Sequence, residues 1–478
     1  MTRKSGSGGG RHKSTVAANQ RRSALGRTDV GRAPSRAASV ARDAAAPSTV
    51  WQIEKLIPGG DGLARLDDGR IGFASGVLPG ERLAIEQSEG KKNFVRALRF
   101  RVLEASPERV VPPCIYAHAC GGCDWLHIDY GAQLRHKVGL LRDALTRTAK
   151  LERLPELSIE ASPDALGYRD RIRIHLERGK IGFRARGSHE LVDIASCRVA
   201  LPELDRCFAR FRQIVESHAQ SFELFSEAEL RVVPVVQPDA GDELGTESRS
   251  ALVRLIPREP GARVRQQASA LLGALAPHFA IAIAGEENAL VQRFALDSSL
   301  ALTVPAEAFV QVNWQVNRSL VAALVREAVQ RGLTSFVDLY AGAGNFTLPL
   351  LAAGLSGVAV EGVGAAAEAA RRSIDERGFS GEVLASGVTA GIESLRRAGR
   401  RFELVVLDPP RAGAAEVLTS LTSLGARCVA YCACDPVTLA RDLRQLMASG
   451  FELESVRAYD MFPGTHHFES VAWLSWRR

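Results

Sequence analysis

Two short runs near the end of the chain carry the residues best suited to covalent chemistry: Tyr431-Cys432-Ala433-Cys434-Asp435-Pro436 and Gly464-Thr465-His466-His467-Phe468-Glu469-Ser470. A thiolate is soft enough to add to an electron-poor carbon and to leave again, and a carboxylate nearby can take the proton that must then depart. Sulfur added at carbon 6 of a uracil makes carbon 5 an enolate-type nucleophile that can attack an electrophilic methyl group. Cys434 is read as the nucleophile and Glu469 as the base. Cys432 shares a strand face with Cys434 but is expected inside the sheet, and Cys428 is expected in the core. His466 and His467 could steer Glu469 or contact RNA, but the expectation is an ordinary polar loop.

Such a reaction needs a methyl donor beside the sulfur. The turn Asp338-Leu339-Tyr340-Ala341-Gly342-Ala343-Gly344-Asn345-Phe346 follows an apolar run and opens a helix. Its glycines let backbone approach a ligand, and Glu361, ending the next apolar run, can accept bonds from ribose hydroxyls. This is an adenosine-binding layout that serves either a dinucleotide or S-adenosylmethionine. Thr347, where the dinucleotide fingerprint wants a third glycine, weighs against the dinucleotide. Asp408-Pro409-Pro410-Arg411 follows a further strand and forms a stiff loop able to hold a planar base. A plain helix N-cap is the alternative role for Asp408.

A second cysteine set lies far upstream. Cys114, Cys120 and Cys123, the last two joined by Gly121-Gly122, put three thiols on one tight loop, and Cys197 is the best fourth, with Cys207 in reserve. Four thiolates suit either zinc or an iron–sulfur cluster. Eight cysteines without a secretory signal point to free thiols in a reducing compartment.

The elements that must position these groups fall into three parts behind a tail. Residues 1–47 hold ten Lys/Arg against two Asp/Glu, so this expected disordered tail has net charge +8 and leaves the rest of the +7 chain at about −1. Basicity therefore describes the tail, as a solvated segment or an import signal, and any RNA-facing surface on the body must come from local patches. From 48 to 111 short apolar runs alternate with Gly-rich turns, which predicts a small β-barrel with a basic strand at Lys91, Lys92, Arg96, Arg99 and Arg101. Residues 112–308 form a mixed α+β part with a helix over 130–149 and a cationic strand face at Arg169, Arg171, Arg173 and His175. From 309 to 478 strands alternate with helices as in a doubly wound sheet, closed by a terminal hairpin over Phe451–Arg457 and Ser470–Trp476. The uncharged run Leu339–Val360 contains glycines, Pro349 and Asn345, and is read as strand, loop and helix rather than a membrane span.

Taken together, these residues resemble the RNA 5-methyluridine (uracil-5-) methyltransferase family. The resemblance runs from about Trp51 to the C-terminus and rests on the Cys-x5-Cys-Gly-Gly-Cys loop, Phe309-Val310-Gln311-Val312-Asn313, the Asp338–Phe346 turn, Asp408–Arg411, Cys434–Asp442 and His467-Phe468-Glu469-Ser470. It implies a TRAM/OB-like barrel and a C-terminal Rossmann-like class I methyltransferase domain. It also implies Cys434 as nucleophile and Glu469 as base, with S-adenosylmethionine contacts at Gln311, Tyr340, Asn345, Glu361 and Asp408. A [4Fe–4S] cluster on Cys114, Cys120, Cys123 and Cys197 is implied likewise. Barrel and cluster together look most like the members acting on 23S rRNA, which implies a cytoplasmic, monomeric RNA-binding enzyme with no membrane association. Ala433 and Asp435 depart from the Ser and Asn that usually flank the nucleophile, and the added carboxylate is expected to raise the thiol pKa. The competing readings are a transfer-RNA methyltransferase, a non-catalytic ribosome-assembly factor and an adenosine-cofactor oxidoreductase.

Overall fold

A computed structural model describes residues 49–234, 251–259, 261, 263–286 and 290–477; the expected basic tail lies outside the described residues. The first six strands, Val50–Gln52, Lys55–Leu56, Gly62–Arg65, Ile71–Ala74, Arg82–Gly90 and Phe94–Glu104, form one sheet with spatial order first, fifth, sixth, fourth, third, second. Trp51, Ile53, Leu83, Ile85 and Val95 fill its core. The basic strand is partly neutralised, because Arg96 meets Asp61 at 2.7 Å and Arg99 and Arg101 both reach Glu86, at 3.3 and 2.9 Å.

A second six-stranded sheet is built from Leu191–Asp193, Lys180–Arg184, Arg171–Glu177, Phe225–Val232, Ala251–Pro257 and Ala280–Ile283, in that spatial order. Alternation along Arg171–Glu177 buries Ile172, Ile174 and Leu176 against Phe208 and Phe211 of the helix Pro202–Glu216. The opposite face is cationic in the sequence but matched in the fold. Arg173 and His175 pair with Glu227 on the neighbouring strand, and Arg171 stands 3.8 Å from Glu229.

The C-terminal sheet has eight strands, ordered Gly381–Ala385, Ser356–Glu361, Ser335–Leu339, Leu404–Leu407, Cys428–Ala433, Glu469–Trp476, Phe451–Tyr459 and Leu157–Glu160. The first five run parallel. The inner four are buried on both faces, as the uninterrupted Leu-Val-Val-Leu of Leu404–Leu407 illustrates, whereas the edge strand Gly381–Ala385 is partly exposed. The terminal hairpin folds back so that its second strand, not its first, pairs with Cys428–Ala433. This inversion carries the start of Glu469–Trp476 to the carboxyl edge of the parallel strands. Two upstream elements join this body: Leu157–Glu160 extends the edge beside Phe451–Tyr459, and helix Tyr130–Arg147 shares a core with Leu439 and Leu443. Lys137 of that helix, fully buried, donates to Asp460 at 2.5 Å and to Phe462 O at 3.1 Å. Among the described residues no helix is long and apolar enough to cross a membrane.

Candidate active site

Cys434 stands in the turn between strand Cys428–Ala433 and helix Pro436–Ala448. Asp435 caps that helix, its carboxylate accepting from Thr438 N at 2.7 Å, and Pro436 sits in the first turn. Ser470 pairs with Ala433 across the antiparallel strands, so one step along this register sets Glu469 against Cys434. Burial, then the Glu469 carboxyl, push the Cys434 thiol up to about 11; Arg411 pulls it down, while Asp408 and Asp435 add to the rise. Glu469 is buried, and burial followed by Asp408 holds its pKa well above the ordinary carboxylate range against Arg411. Burial also takes Asp408 up to about 6. The charges of three carboxyls and one guanidinium thus bear on one thiol. Cys434 also shares a small cavity with Pro409, Pro410 and Arg411. Asp408 caps no helix, since the next helical turn begins at Leu418. Cys432 and Cys428 are buried in the sheet, as expected.

The loop carrying Arg411 is clamped by the helix that follows Cys434. Thr438 Oγ1 donates to Arg411 O (3.3 Å), Arg441 Nη2 to Ala412 O (2.7 Å), and Ala414 N to Asp442 Oδ2 (2.9 Å), which also accepts from Tyr431 Oη (2.5 Å). Sequence reasoning placed Asp442 in a motif without giving it this role. It reads the two histidines as an ordinary polar loop, where the structure gives each a specific partner. His466 pairs with Asp124, and Arg411 Nη2 approaches His467 Nε2 at 3.5 Å. Burial first, with the neighbouring charges of His466 and Arg411, takes His467 down to about 4, so it is neutral near neutral pH and its Nε2 can accept from arginine.

The glycine turn lies at the carboxyl end of Ser335–Leu339, next to this cluster. Tyr340 holds a left-handed backbone (φ +66°), as do Lys150 and Arg178 among the described non-glycine residues. Glu361 accepts from Gly342 N and from Val363 N, each at 2.7 Å, so it shapes the turn as well as facing the crevice. Asn345 exchanges two amide bonds with Asn317, at 2.9 and 3.0 Å, a partner the motif did not disclose. Gln311 is partly exposed ahead of helix Trp314–Gln330. Asp338 accepts from Thr347 Oγ1 at 2.6 Å, and burial takes it up to about 7. Tyr340 Oη, Asp338 Oδ1 and Ser386 Oγ are buried without hydrogen-bond partners, a polar demand near the turn that a bound polar ligand would help to meet.

Cys114, Cys120, Cys123 and Cys197 line one cavity of about 170 Å³ together with Tyr116 and Arg169; Cys207 does not line it. All four are free thiols. Burial pushes Cys123 up to about 12 despite Arg169, and the neighbouring sulfurs add to the rise. The buried Nε of Arg169 has no partner. Among the described residues, no three His, Cys, Asp or Glu side chains stand close enough to hold a single metal ion.

The family model described as tRNA (Uracil-5-)-methyltransferase matches residues 286–477. The chain is 33% identical over 451 residues to the 23S rRNA (uracil(1939)-C(5))-methyltransferase RlmD of Pectobacterium atrosepticum, covering 92% of this chain and 96% of that one. It is 30% identical to the protein of the same name from Vibrio parahaemolyticus, over 88% of this chain and 94% of the other. Among solved structures, the Pyrococcus abyssi tRNA (uracil-54, C5)-methyltransferase, in complex with S-adenosyl-L-homocysteine, superposes with a TM-score of 0.66. That likeness covers 89% of this chain and all of the other at 22% identity, and speaks for the fold.

Proposed function

The chain belongs to the RNA (uracil-5-)-methyltransferase family, and we propose that it transfers a methyl group from S-adenosylmethionine to carbon 5 of a uridine in 23S rRNA. The observation that carries the mechanism is the Ala433–Ser470 register, which supports Cys434 and Glu469 acting on the same ring. In this reading the target base leaves its stack and enters beside Pro409–Arg411. Cys434 gives up its proton to solvent and adds as thiolate to carbon 6. Carbon 5 takes the methyl group with release of S-adenosylhomocysteine, Glu469 as carboxylate removes the carbon-5 proton, and elimination across carbons 5 and 6 returns Cys434 as thiolate and frees 5-methyluridine. Arg411 supplies the positive charge that favours the attacking thiolate and the negative charge developing on the ring.

S-adenosylmethionine contributes the electrophilic methyl, and Gln311, Tyr340, Asn345, Glu361 and Asp408 are the residues we assign to its site. The unpartnered buried atoms of the glycine crevice support this assignment. We assign Cys114, Cys120, Cys123 and Cys197 to a [4Fe–4S] cluster. The four sulfurs line one cavity with Arg169, whose buried, unpartnered guanidinium Nε offers a counter-charge to four thiolates. The first six strands are read as a TRAM-like RNA-binding module, and the chain as a monomer of the reducing cytoplasm.

The direct test mixes the protein and labelled methyl donor with unmethylated 23S rRNA or with unmethylated tRNA. Label at carbon 5 of one rRNA uridine is expected. Label on tRNA alone would move the substrate assignment, and no label on either would remove the function.

A further inference from the structure

Three segments far apart in the chain meet at one polar contact. The Asp124 carboxylate, next to Cys123, accepts the His466 backbone N–H at 3.1 Å and meets His466 Nδ1 at 2.5 Å. The turn preceding Asp61 lies over this pair. Gly60 has φ +84°, and a Cβ there would collide with Asp124 Oδ2 and stand 3.0 Å from His466 Nδ1. Trp125 ties the three together, its Nε1 donating to Gly60 O at 3.2 Å and its backbone N–H to Gly464 O at 2.9 Å. Gln133 Oε1 accepts from Gly464 N at 2.8 Å. The turn leading to Glu469 is therefore fastened to the cysteine loop and to the helix behind it.

From His466 the contact passes toward the reacting groups. The His466 and His467 rings lie 3.9 Å apart between centroids, and His467 Nε2 faces Arg411 Nη2 at 3.5 Å. The Arg411 side chain is exposed, and His467 is the side chain that meets its guanidinium. Its charge bears on both Cys434 and Glu469.

We propose that the Asp124–His466 pair is a positioning device for the reaction: it fixes the turn before Glu469 so that His467 holds Arg411 toward the thiol and the base, and it makes that placement depend on the fold of the cysteine loop. The inference rests on the assignment of Cys434 and Glu469 made above. Neither Asp124 nor His466 touches the reacting atoms. A pair that served stability alone would, when broken, lower the melting temperature and leave the chemistry of Cys434 as it was.

The test uses the full chain with Asp124→Asn, His466→Ala, His466→Gln and the Asp124→Asn/His466→Ala double variant. Each is alkylated with iodoacetamide across pH, and the Cys434 peptide is followed by mass spectrometry. The groups facing that thiol are Glu469, Arg411, Asp408 and Asp435. Loss of the Arg411 placement raises the alkylation midpoint by about one pH unit in Asp124→Asn and His466→Ala, which slows alkylation about tenfold at a fixed pH below it. His466→Gln keeps a donor toward Asp124 and recovers most of the shift. The double variant shifts no further than either single one, because both break the same contact. On RNA, kcat falls by a similar factor while KM stays within about twofold. An unchanged midpoint in folded variants, or a double variant whose shift is the sum of the singles, overturns the proposal. Should Asp124→Asn not fold, the His466→Ala and His466→Gln comparison decides. Alkylation needs neither RNA nor methyl donor, so an inactive wild-type protein would remove the functional assignment while the midpoints still judge the positioning role.

Discussion

Ala433 pairs with Ser470 across antiparallel strands, and that register decides which carboxylate meets Cys434. One residue further along, the strand ends bring Cys434 and Glu469 together. A slip of a single residue would turn Glu469 to the other face of the sheet.

The electrostatics around this pair have a definite sign. With the Cys434 thiol pushed up to about 11, the free protein holds it protonated at neutral pH, so its alkylation should quicken about tenfold per pH unit until the midpoint is reached. Arg411→Ala removes a charge that lowers the thiol pKa and should move the midpoint up. Asp408→Asn removes a carboxyl that raises it and should move the midpoint down. Mass spectrometry of the Cys434 peptide checks both, and the opposite order would contradict the arrangement described.

Lys137 and Asp460 are both fully buried and face each other, so removing one leaves the other charge stranded in the interior. Lys137→Met should destabilise the protein by about 3–5 kcal/mol, and Lys137→Met with Asp460→Leu should recover most of that loss. Urea unfolding measures both variants. Equal stability of Lys137→Met and wild type would show that the pair holds nothing in place.

Much of the candidate site's placement was legible because its residues sit at element ends that local pattern marks well. The apolar runs before Tyr340, Asp408 and Cys434 read as strands and are strands, and Cys432 lies inside the sheet. What the pattern could not convey was pairing between distant segments. Nothing local announces that Leu157–Glu160 extends the C-terminal sheet, that Asn317 answers Asn345, or that Asp124 reaches His466. The strand at Arg171–Glu177 misleads for the same reason: its charges are visible in sequence, whereas Glu227 and Glu229, which answer them, come from a partner strand about fifty residues on.

The cysteine cavity makes a compositional prediction. Purified anaerobically, the protein should be brown, with broad visible absorbance and about four irons and four sulfides per chain. Cys197→Ser should lose the colour, whereas Cys207→Ser, outside the cavity, should keep it. A colourless protein carrying stoichiometric zinc would contradict the cluster.

Gly60 offers a steric probe of the contact beneath it. Gly60→Ala adds both a strained backbone, costing about 1–3 kcal/mol, and a methyl group aimed at Asp124 and His466. Gly69 has a similar φ of +83° but open space around it, so Gly69→Ala carries strain alone. Only Gly60→Ala should raise the Cys434 alkylation midpoint. Equal midpoints in the two variants would mean that pressure on the pair does not reach the thiol.

The most direct test of the account is Glu469→Gln mixed with S-adenosylmethionine and substrate RNA. Glutamine cannot take the carbon-5 proton, so methyl transfer should proceed and elimination should not. Denaturing electrophoresis and peptide mass spectrometry should then find methylated RNA covalently attached to Cys434, with turnover reduced at least about a thousandfold. Turnover at the wild-type rate, or a stalled reaction with no protein–RNA bond at Cys434, would contradict the pairing of that sulfur with that carboxylate.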